Sequence, residues 1–321
     1  MPKKRKKEEA FMKGLELSRE YFNEYGLNML EEKFPQYMKY IAAGLVGEGS
    51  ECFGFDDEIS RDHDFGPGFC IWIPEEIKKE AGGELQRAYM SLPRSFRGFT
   101  RMETPQAAGR VGVIAIEEFY RRFTGLAGEP ENNMQWFVIP EHYLATAVNG
   151  EVFMDSPGRF TQVRNRLKAF YPEDVLRKKL AARAALMAQS GQYNYVRCAK
   201  RGEEGGAYLS CAEFVRNALS CIYLLNGRYM PFYKWAFRGT EELPDLKETA
   251  AKLKRLAATA DKGENIKKKE ELIEEICLDV ESFFRKRGLT ATRETFIMAH
   301  GQELMDSIED EKLRKMHIMA V

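Results

Sequence analysis

The feature that most constrains this fold is a stretch in which two apolar runs enclose glycine- and aspartate-rich segments. Residues 41–46 form an apolar run typical of a buried strand, and residues 69–73 form a second one. Between them, Gly47 and Gly49 mark a turn, and Ser50 follows where a helix can begin. The pattern predicts a strand that ends in a glycine-rich turn, a connecting segment, and a second strand.

Two aspartates lie in this stretch, on either side of His63. Asp62 and Asp64 are two residues apart, so on an extended chain their side chains point to the same face, about 6.6 to 6.8 Å apart along the backbone. Magnesium takes oxygen ligands, usually one or two carboxylates together with the phosphates of a substrate, and two metals can stabilise both the attacking and the leaving oxygen. The spacing therefore predicts a magnesium site, and His63 is expected to pack on the opposite face.

The order of these motifs carries a resemblance. Gly49-Ser50 followed by Asp62-His63-Asp64 resembles the signature of the DNA polymerase beta-like nucleotidyltransferase superfamily, in which Gly-Ser opens a helix and two aspartates lie on the next strand. The whole segment is more similar still to an uncharacterised bacterial group that joins such a domain to a helical C-terminal domain. Further similar segments begin at Gly150, Tyr171, Gln189 and Phe232, so the likeness spans roughly residues 45–235.

The resemblance implies a magnesium-dependent nucleotidyltransferase. Gly49 and Ser50 are then expected to bind the β- and γ-phosphates of a nucleoside triphosphate, through backbone N–H groups and the helix N-terminus. Asp62 and Asp64, with a third carboxylate from a later strand, are expected to bind the metal. A hydroxyl or phosphate of the acceptor would attack the α-phosphorus and release pyrophosphate. ATP is the expected triphosphate, so AMP is the expected group transferred.

The third carboxylate is expected on residues 151–155, which follow the turn signal Asn149-Gly150 and read as a short strand. Glu151 and Asp155 share parity along that strand, so both are expected to face the site. Asp155 is the preferred metal ligand because the apolar residues 152–154 run into it, and Glu151 is the alternative. Asp155 followed by Ser-Pro-Gly also fits a plain turn.

Helices and a long loop are predicted around this central stretch. The spacing of apolar residues predicts helices over residues 11–25 and 27–40, separated by Gly26 as a C-cap glycine, and over residues 112–123. Residues 93–110 read as a loop whose length is typical of functional or disordered segments. Its arginines, candidates for a phosphate-binding lid, are Arg94, Arg97, Arg101 and Arg110.

The second half of the chain has a different character. From Tyr171 onward glycine is sparse and helix formers dominate, which predicts an α+β fold in two domains. Residues 1–165 are expected to form a nucleotidyltransferase-like domain with a mixed sheet flanked by helices, and residues 166–321 an all-α helical bundle. Its first helix carries Lys178 and Lys179, candidates to neutralise the leaving pyrophosphate. Adjacent helical residues diverge by about 100°, so only one of the two is expected to face the cleft.

Charge and composition restrict the partners. Lys+Arg and Asp+Glu both total 49, and this zero net charge disfavours a long nucleic acid and favours a small-molecule acceptor. The cysteines have no C-x-x-C spacing and the four histidines are dispersed, so no zinc motif is present. The basic N-terminal segment lacks a following apolar region, and no run approaches the ~18 apolar residues of a membrane span. A cytoplasmic protein is therefore expected.

Two other functions fit the same residues. One is a nucleotidyltransferase that modifies a protein or a tRNA end. The other is a regulatory module that binds a nucleotide without turnover. The third carboxylate separates the enzyme from the module, because an enzyme needs Asp155 or Glu151 within reach of the metal held by Asp62 and Asp64.

Overall fold

The computed structural model describes residues 12–61, 65–101 and 109–321. The chain divides into two compact units. Unit 1 comprises Met1–Glu129 and Thr146–Lys168, and unit 2 comprises Pro130–Ala145 and Ala169–Val321. The second unit thus takes a short segment that precedes residues 146–168 in the chain. A sheet together with many helices makes the fold α+β.

The described strands all belong to unit 1. In chain order they are β1 Ala42–Leu45, β2 Cys70–Ile73, β3 Ser95–Phe96, β4 Phe99–Thr100, β5 Gly112–Ala115 and β6 Glu151–Asp155. Four of them form a mixed sheet in the order β5-β2-β1-β6, and β3 pairs with β4 in a separate hairpin. Strand β1 is antiparallel to both neighbours, whereas β2 and β5 are parallel. The predicted strands over residues 41–46, 69–73 and 151–155 are confirmed.

The helices account for most of the remaining described chain. The α-helices are α1 Gly14–Tyr21, α2 Leu27–Lys33, α3 Glu75–Met90, α4 Ile116–Thr124, α5 Asn133–Val138, α6 Glu141–Val148, α7 Arg159–Lys168, α8 Glu173–Met187, α9 Val196–Lys200, α10 Glu204–Leu225, α11 Tyr233–Gly239, α12 Lys247–Ala258, α13 Asn265–Lys286, α14 Met298–Asp306 and α15 Glu311–Arg314. No described helix combines the length and the apolar character needed to cross a membrane.

Two helix predictions are wrong in detail. Gly26 does not end a helix, because α1 continues through a π-helical turn, Phe22–Gly26, into α2. A Cβ atom at Gly26 would lie 2.5 Å from Cζ of Phe69, so the glycine allows the helix to pack on a buried ring. Residues 112–115 form strand β5, not the start of a helix. Four residues that run straight into α4 are too few to distinguish a buried strand from a helical turn.

A bulge in β6 changes which way its acids point. Ala42 pairs with Asp155 and Leu45 with Glu151, but the register shifts between Ala43 and Gly44, so β6 has one extra residue there. Directly opposed residues in an antiparallel pair share a face, and Ala42 and Leu45 lie on opposite faces because they are three residues apart. Glu151 and Asp155 therefore lie on opposite faces of the sheet. The prediction that they share a face is wrong.

The sheet is covered on both faces. On one face, Trp72 stacks on Phe160 of α7 with ring centroids 3.9 Å apart and an interplanar angle of 15°. Phe119 of α4 meets the Trp72 ring edge-on at 5.6 Å. On the other face, a cluster that includes Leu17 and Tyr21 of α1 packs on the sheet. These contacts fix α1, α4 and α7 around the strands.

Unit 2 is built around α8, which packs against α10 and α14. A buried ion pair links Arg183 of α8 to Glu141 of α6, with Nη2 and Oε1 2.8 Å apart. The same guanidinium donates to Ser220 and Asn217 of α10. Breaking one partner of such a buried pair is costly because the remaining charge has no compensation.

We expect Phe160→Ala to lower the free energy of unfolding of unit 1 by about 3–5 kcal/mol, because the deletion leaves a cavity under Trp72. Urea unfolding followed by the fluorescence of Trp72, in a background with Trp136→Phe and Trp235→Phe, measures this change. Ile59→Ala is the control, since Ile59 is 79% exposed and its truncation should cost less than about 0.5 kcal/mol. Equal effects of the two substitutions would contradict the packing described.

Candidate functional site

The candidate site is centred on the turn that follows β1. The predicted metal ligands Asp62 and Asp64, with His63 between them, lie outside the described residues, so their assignment stays a prediction. The described chain ends before them at Arg61 and resumes at Phe65, and β2 begins at Cys70.

The turn itself contains two glycines with positive φ, Gly47 at +126° and Gly49 at +122°. Side chains rarely adopt that conformation, so glycine is favoured at both positions. Ser50 precedes a 3-10 helix, Glu51–Phe53, of three residues, and its side chain makes no capping hydrogen bond. The helix expected after Gly-Ser is thus a single turn. It is too short to contribute a macrodipole, so any anion binding here depends on individual N–H groups and side chains.

The side chain of Asn149, just before β6, binds this turn by two hydrogen bonds. Its Oδ1 accepts the N–H of Gly47 at 2.9 Å, and its Nδ2 donates to the carbonyl of Gly47 at 2.8 Å. The N–H of Gly150 donates to the carbonyl of Cys52 at 2.7 Å. Arg164 of α7 then donates from Nη2 to the carbonyls of Asn149 and Gly150. The turn after β1 and the turn before β6 therefore form one hydrogen-bonded assembly.

Two N–H groups of this turn are available to a ligand. Within the described part of the chain, the N–H groups of Gly49 and Ser50 donate to no protein acceptor, and both residues are partly exposed. Successive N–H groups around a glycine with positive φ can form a concave site for an anion. The N–H groups of Gly49 and Ser50 are the donors that the sequence analysis predicts for phosphate binding.

Arg110 and Glu51 lie directly against Gly49. Nη2 of Arg110 donates to the carbonyl of Glu48 at 2.7 Å and to Oε1 of Glu51 at 2.8 Å. A Cβ atom at Gly49 would lie 2.3 Å from that Nη2 and 2.4 to 2.5 Å from the two carboxylate oxygens. Burial raises the pKa of the Glu51 carboxyl, and the charge of Arg110 opposes that shift. The guanidinium of Arg110 and the carboxylate of Glu51 therefore both lie against the turn.

The other arginines of the long loop have different partners. Arg97 forms an ion pair with Glu20 of α1, with Nε and Oε2 3.1 Å apart. Arg101 is buried, with its guanidinium over the ring of Tyr89 at 5.0 Å. Residues 102–108 of the loop lie outside the described residues. Of the lid candidates, Arg110 is the one whose described contacts are with the glycine turn.

The two candidates for the third carboxylate lie at different ends of β6. Glu151 pairs with Leu45 at the end of β1 that leads into the turn, and it forms an ion pair with Arg19 of α1. Asp155 pairs with Ala42, three residues away, which is about 10 Å along a strand. The described geometry thus brings Glu151 beside the glycine turn.

Asp155 also has a structural task. Its Oδ1 accepts the N–H of Gly158 at 2.9 Å, and its Oδ2 accepts the N–H of Thr161 at 2.7 Å. These bonds satisfy N–H groups at the start of α7, as capping carboxylates do. The turn function that the Asp-Ser-Pro-Gly sequence allowed is therefore present in the structure.

Asp56 has a structural role that the sequence analysis did not predict, because it was considered only as part of the aspartate-rich segment between the two apolar runs. Its side chain is buried, its Oδ2 accepts the N–H of Gly14 at 2.8 Å, and Nζ of Lys13 lies 3.4 Å from Oδ1. Asp56 therefore fixes the start of α1 against the connecting segment. No three His, Cys, Asp or Glu residues in the described ranges are grouped so that they could hold a metal ion.

Lys178 and Lys179 are buried in unit 2, with 0% and 3% exposure. Nζ of Lys178 donates to the carbonyls of Ile318 and Ala320 at 3.0 and 2.7 Å. Nζ of Lys179 donates to the carbonyl of Phe137 at 3.1 Å. Neither lysine is exposed, and their described polar partners are carbonyl groups of their own unit.

Comparison with known proteins gives one match. The family model described as a domain of unknown function, DUF4037, matches residues 136–236, about a third of the chain. The matched segment contains Glu151, Asp155, Lys178 and Lys179. It does not include the glycine turn, which lies earlier in the chain. No curated protein and no solved structure matches the chain.

We expect Asn149→Ala to lower the free energy of unfolding of unit 1 by about 1–3 kcal/mol, because it leaves the N–H and carbonyl of Gly47 without partners in a part-buried site. Urea unfolding measures the loss, and amide hydrogen exchange at Gly47 and Gly49 should become faster. Asn28→Ala is the matched control, since that side chain makes one exposed contact at 3.4 Å. Unchanged exchange at Gly47 would show that Asn149 does not hold the turn.

A second prediction concerns Lys179, whose pKa is lowered to about 8 by burial. The unfolded chain keeps that proton up to the usual pKa near 10.4, so between about pH 8 and 10.4 the unfolded state binds more protons. The free energy of unfolding of wild type should therefore rise with pH in this window, relative to Lys179→Met, by up to about 3 kcal/mol. Denaturant unfolding at pH 7, 8, 9 and 10 measures the difference, and a constant difference would mean that Lys179 titrates normally.

Proposed function

We propose that this protein is a magnesium-dependent nucleotidyltransferase that moves AMP from ATP to a hydroxyl or phosphate of a small molecule and releases pyrophosphate. The proposal includes a nucleotidyltransferase-type fold for unit 1. The observation that carries it is the fixed glycine turn between β1 and β2, at which Gly49 and Ser50 have N–H groups without a described acceptor. The order of Gly49-Ser50 and Asp62-His63-Asp64 in the sequence supports the same chemistry.

In the proposed reaction, the chain's own groups position the triphosphate. The N–H groups of Gly49 and Ser50 donate to its β- and γ-phosphates. Asp62 and Asp64 provide the carboxylates that hold magnesium, and Glu151 is the third carboxylate that the described register favours over Asp155. Magnesium, when bound, neutralises the charge of the phosphates and stabilises the attacking and leaving oxygens.

The acceptor must lose a proton when its oxygen attacks the α-phosphorus. A carboxylate within hydrogen-bond reach can accept that proton, and Glu151 is the proposed base. Its ion pair with Arg19 holds the carboxylate at the end of β6 that lies beside the turn. The zero net charge of the chain supports a small acceptor over a polymer.

A second candidate function is a nucleotide-binding module without turnover. The observation that favours it is that both possible third carboxylates have protein partners: Glu151 pairs with Arg19, and Asp155 accepts two N–H groups. A module of this kind would bind ATP at the same turn and release it unchanged. Label transfer distinguishes it from the enzyme.

The direct test is incubation of the full-length protein with α-³²P-labelled ATP, magnesium and a small-molecule fraction of cell extract. We expect label to appear in a new acid-stable product in wild type. The Asp62→Asn, Asp64→Asn double variant should lower the transfer by at least about 100-fold, because it removes the carboxylates that hold the metal.

Glu58→Gln is the matched control, because Glu58 is an exposed acid in the same connecting segment. It should transfer label at the wild-type rate. Transfer that persists in the double aspartate variant would refute the proposed site. ATP binding without transfer in wild type would support the module.

A further inference from the structure

A partly buried ion pair lies against the glycine turn. The side chains of Arg110 and Glu51 are only 17% and 16% exposed, and Nη2 and Oε1 are 2.8 Å apart. A Cβ atom built on Gly49 would lie 2.3 Å from Nη2 of Arg110 and 2.4 to 2.5 Å from the carboxylate oxygens of Glu51. These distances are shorter than those that real Cβ atoms make. Arg110 and Glu51 are therefore in contact with the same backbone whose N–H groups are available.

The chemistry of the pair suits exchange with a phosphate. A guanidinium binds the oxygens of carboxylates and phosphates with the same planar, two-pronged geometry, so a phosphate can replace a carboxylate on it. A triphosphate carries more negative charge than Glu51, and it also accepts hydrogen bonds from N–H groups that the carboxylate leaves available. Burial disfavours the charged form of Glu51, as its raised pKa indicates. The loss of water around the Glu51 carboxylate therefore weakens its ion pair with Arg110.

We propose that Arg110 is the arginine that binds the phosphates of the nucleotide, and that Glu51 acts as an internal competitor that a phosphate must displace. The proposal rests on the proposed function for the identity of the ligand. Glu51 lowers the affinity of the site for any polyphosphate and raises its selectivity, because singly charged anions gain less from the exchange. The pair regulates access to the turn without any movement of the strands.

The two members of the pair therefore have opposite effects on binding. Glu51→Gln keeps the shape of the side chain and removes its charge, so Arg110 becomes more available and the affinity for a polyphosphate rises by about tenfold. Arg110→Met removes the cation and keeps the apolar length of the side chain, so the affinity falls by about tenfold or more. In the double variant Glu51 has no arginine to occupy, and its binding should equal that of Arg110→Met.

The test is isothermal titration of the full-length protein with inorganic tripolyphosphate in the absence of magnesium, and with ATP in its presence. The variants are Glu51→Gln, Arg110→Met, Arg110→Lys and the double variant. Arg110→Lys keeps the charge but loses the planar fork, so it should bind with intermediate affinity. Arg159→Met and Glu76→Gln are the matched controls, because these residues form an exposed ion pair in the same unit and should bind as wild type does. Circular dichroism and thermal midpoints show that each variant is folded.

Opposite effects of Glu51→Gln and Arg110→Met, with no further change in the double variant, would support the competitor role. Weaker binding in both single variants would overturn it, since the pair would then only hold the turn together. Wild-type affinity in Arg110→Met would also overturn it, and so would wild-type protein that binds no tripolyphosphate. The proposed function fails separately: the tripolyphosphate results can hold while ATP gives no label transfer, and label transfer can persist while the variants at Glu51 and Arg110 leave binding unchanged.

Discussion

The geometry of the candidate site depends on the paired hydrogen bonds between the side chain of Asn149 and the backbone of Gly47. They join two turns that are a hundred residues apart in the chain and fix the turn after β1 at the end of the sheet. Without them, a turn with two glycines would sample many conformations, because glycine loses more entropy on ordering than any other residue. Arg164 extends the assembly to α7, so the turn is held by the sheet and by a helix packed beneath it.

A fixed turn gives its neighbours defined positions. Strand β6 leaves the same assembly and begins with Glu151, so this acid is next to the end of β1. The bulge then turns Asp155 to the other face, where it accepts N–H groups at the start of α7. One extra residue in a strand has thus separated two acids that a regular strand would have kept together. The oppositely charged side chains of Arg110 and Glu51 form an ion pair against the same turn.

The sequence predicted the strands and the glycine turn because they depend on local signals. Short apolar runs bounded by glycines indicate buried strands, and the structure contains them over nearly the predicted residues. The bulge in β6 and the strand over residues 112–115 were not predictable, since both depend on pairing with distant strands. The burial of both Lys178 and Lys179 depends on tertiary packing around α8, which the spacing of two adjacent lysines does not reveal. Arg110 could be named only as one of four loop arginines, because its contact with Glu51 spans 59 residues.

In the proposed function, the turn at Gly49 binds the triphosphate beside a metal held by Asp62 and Asp64. The most direct measurement is a crystal structure of the protein with magnesium and an ATP analogue whose α,β-bridging oxygen is replaced by methylene. We expect phosphate oxygens within hydrogen-bond distance of the N atoms of Gly49 and Ser50, and a cation bound by both aspartates. A nucleotide bound elsewhere, or aspartates that do not contact the cation, would contradict it.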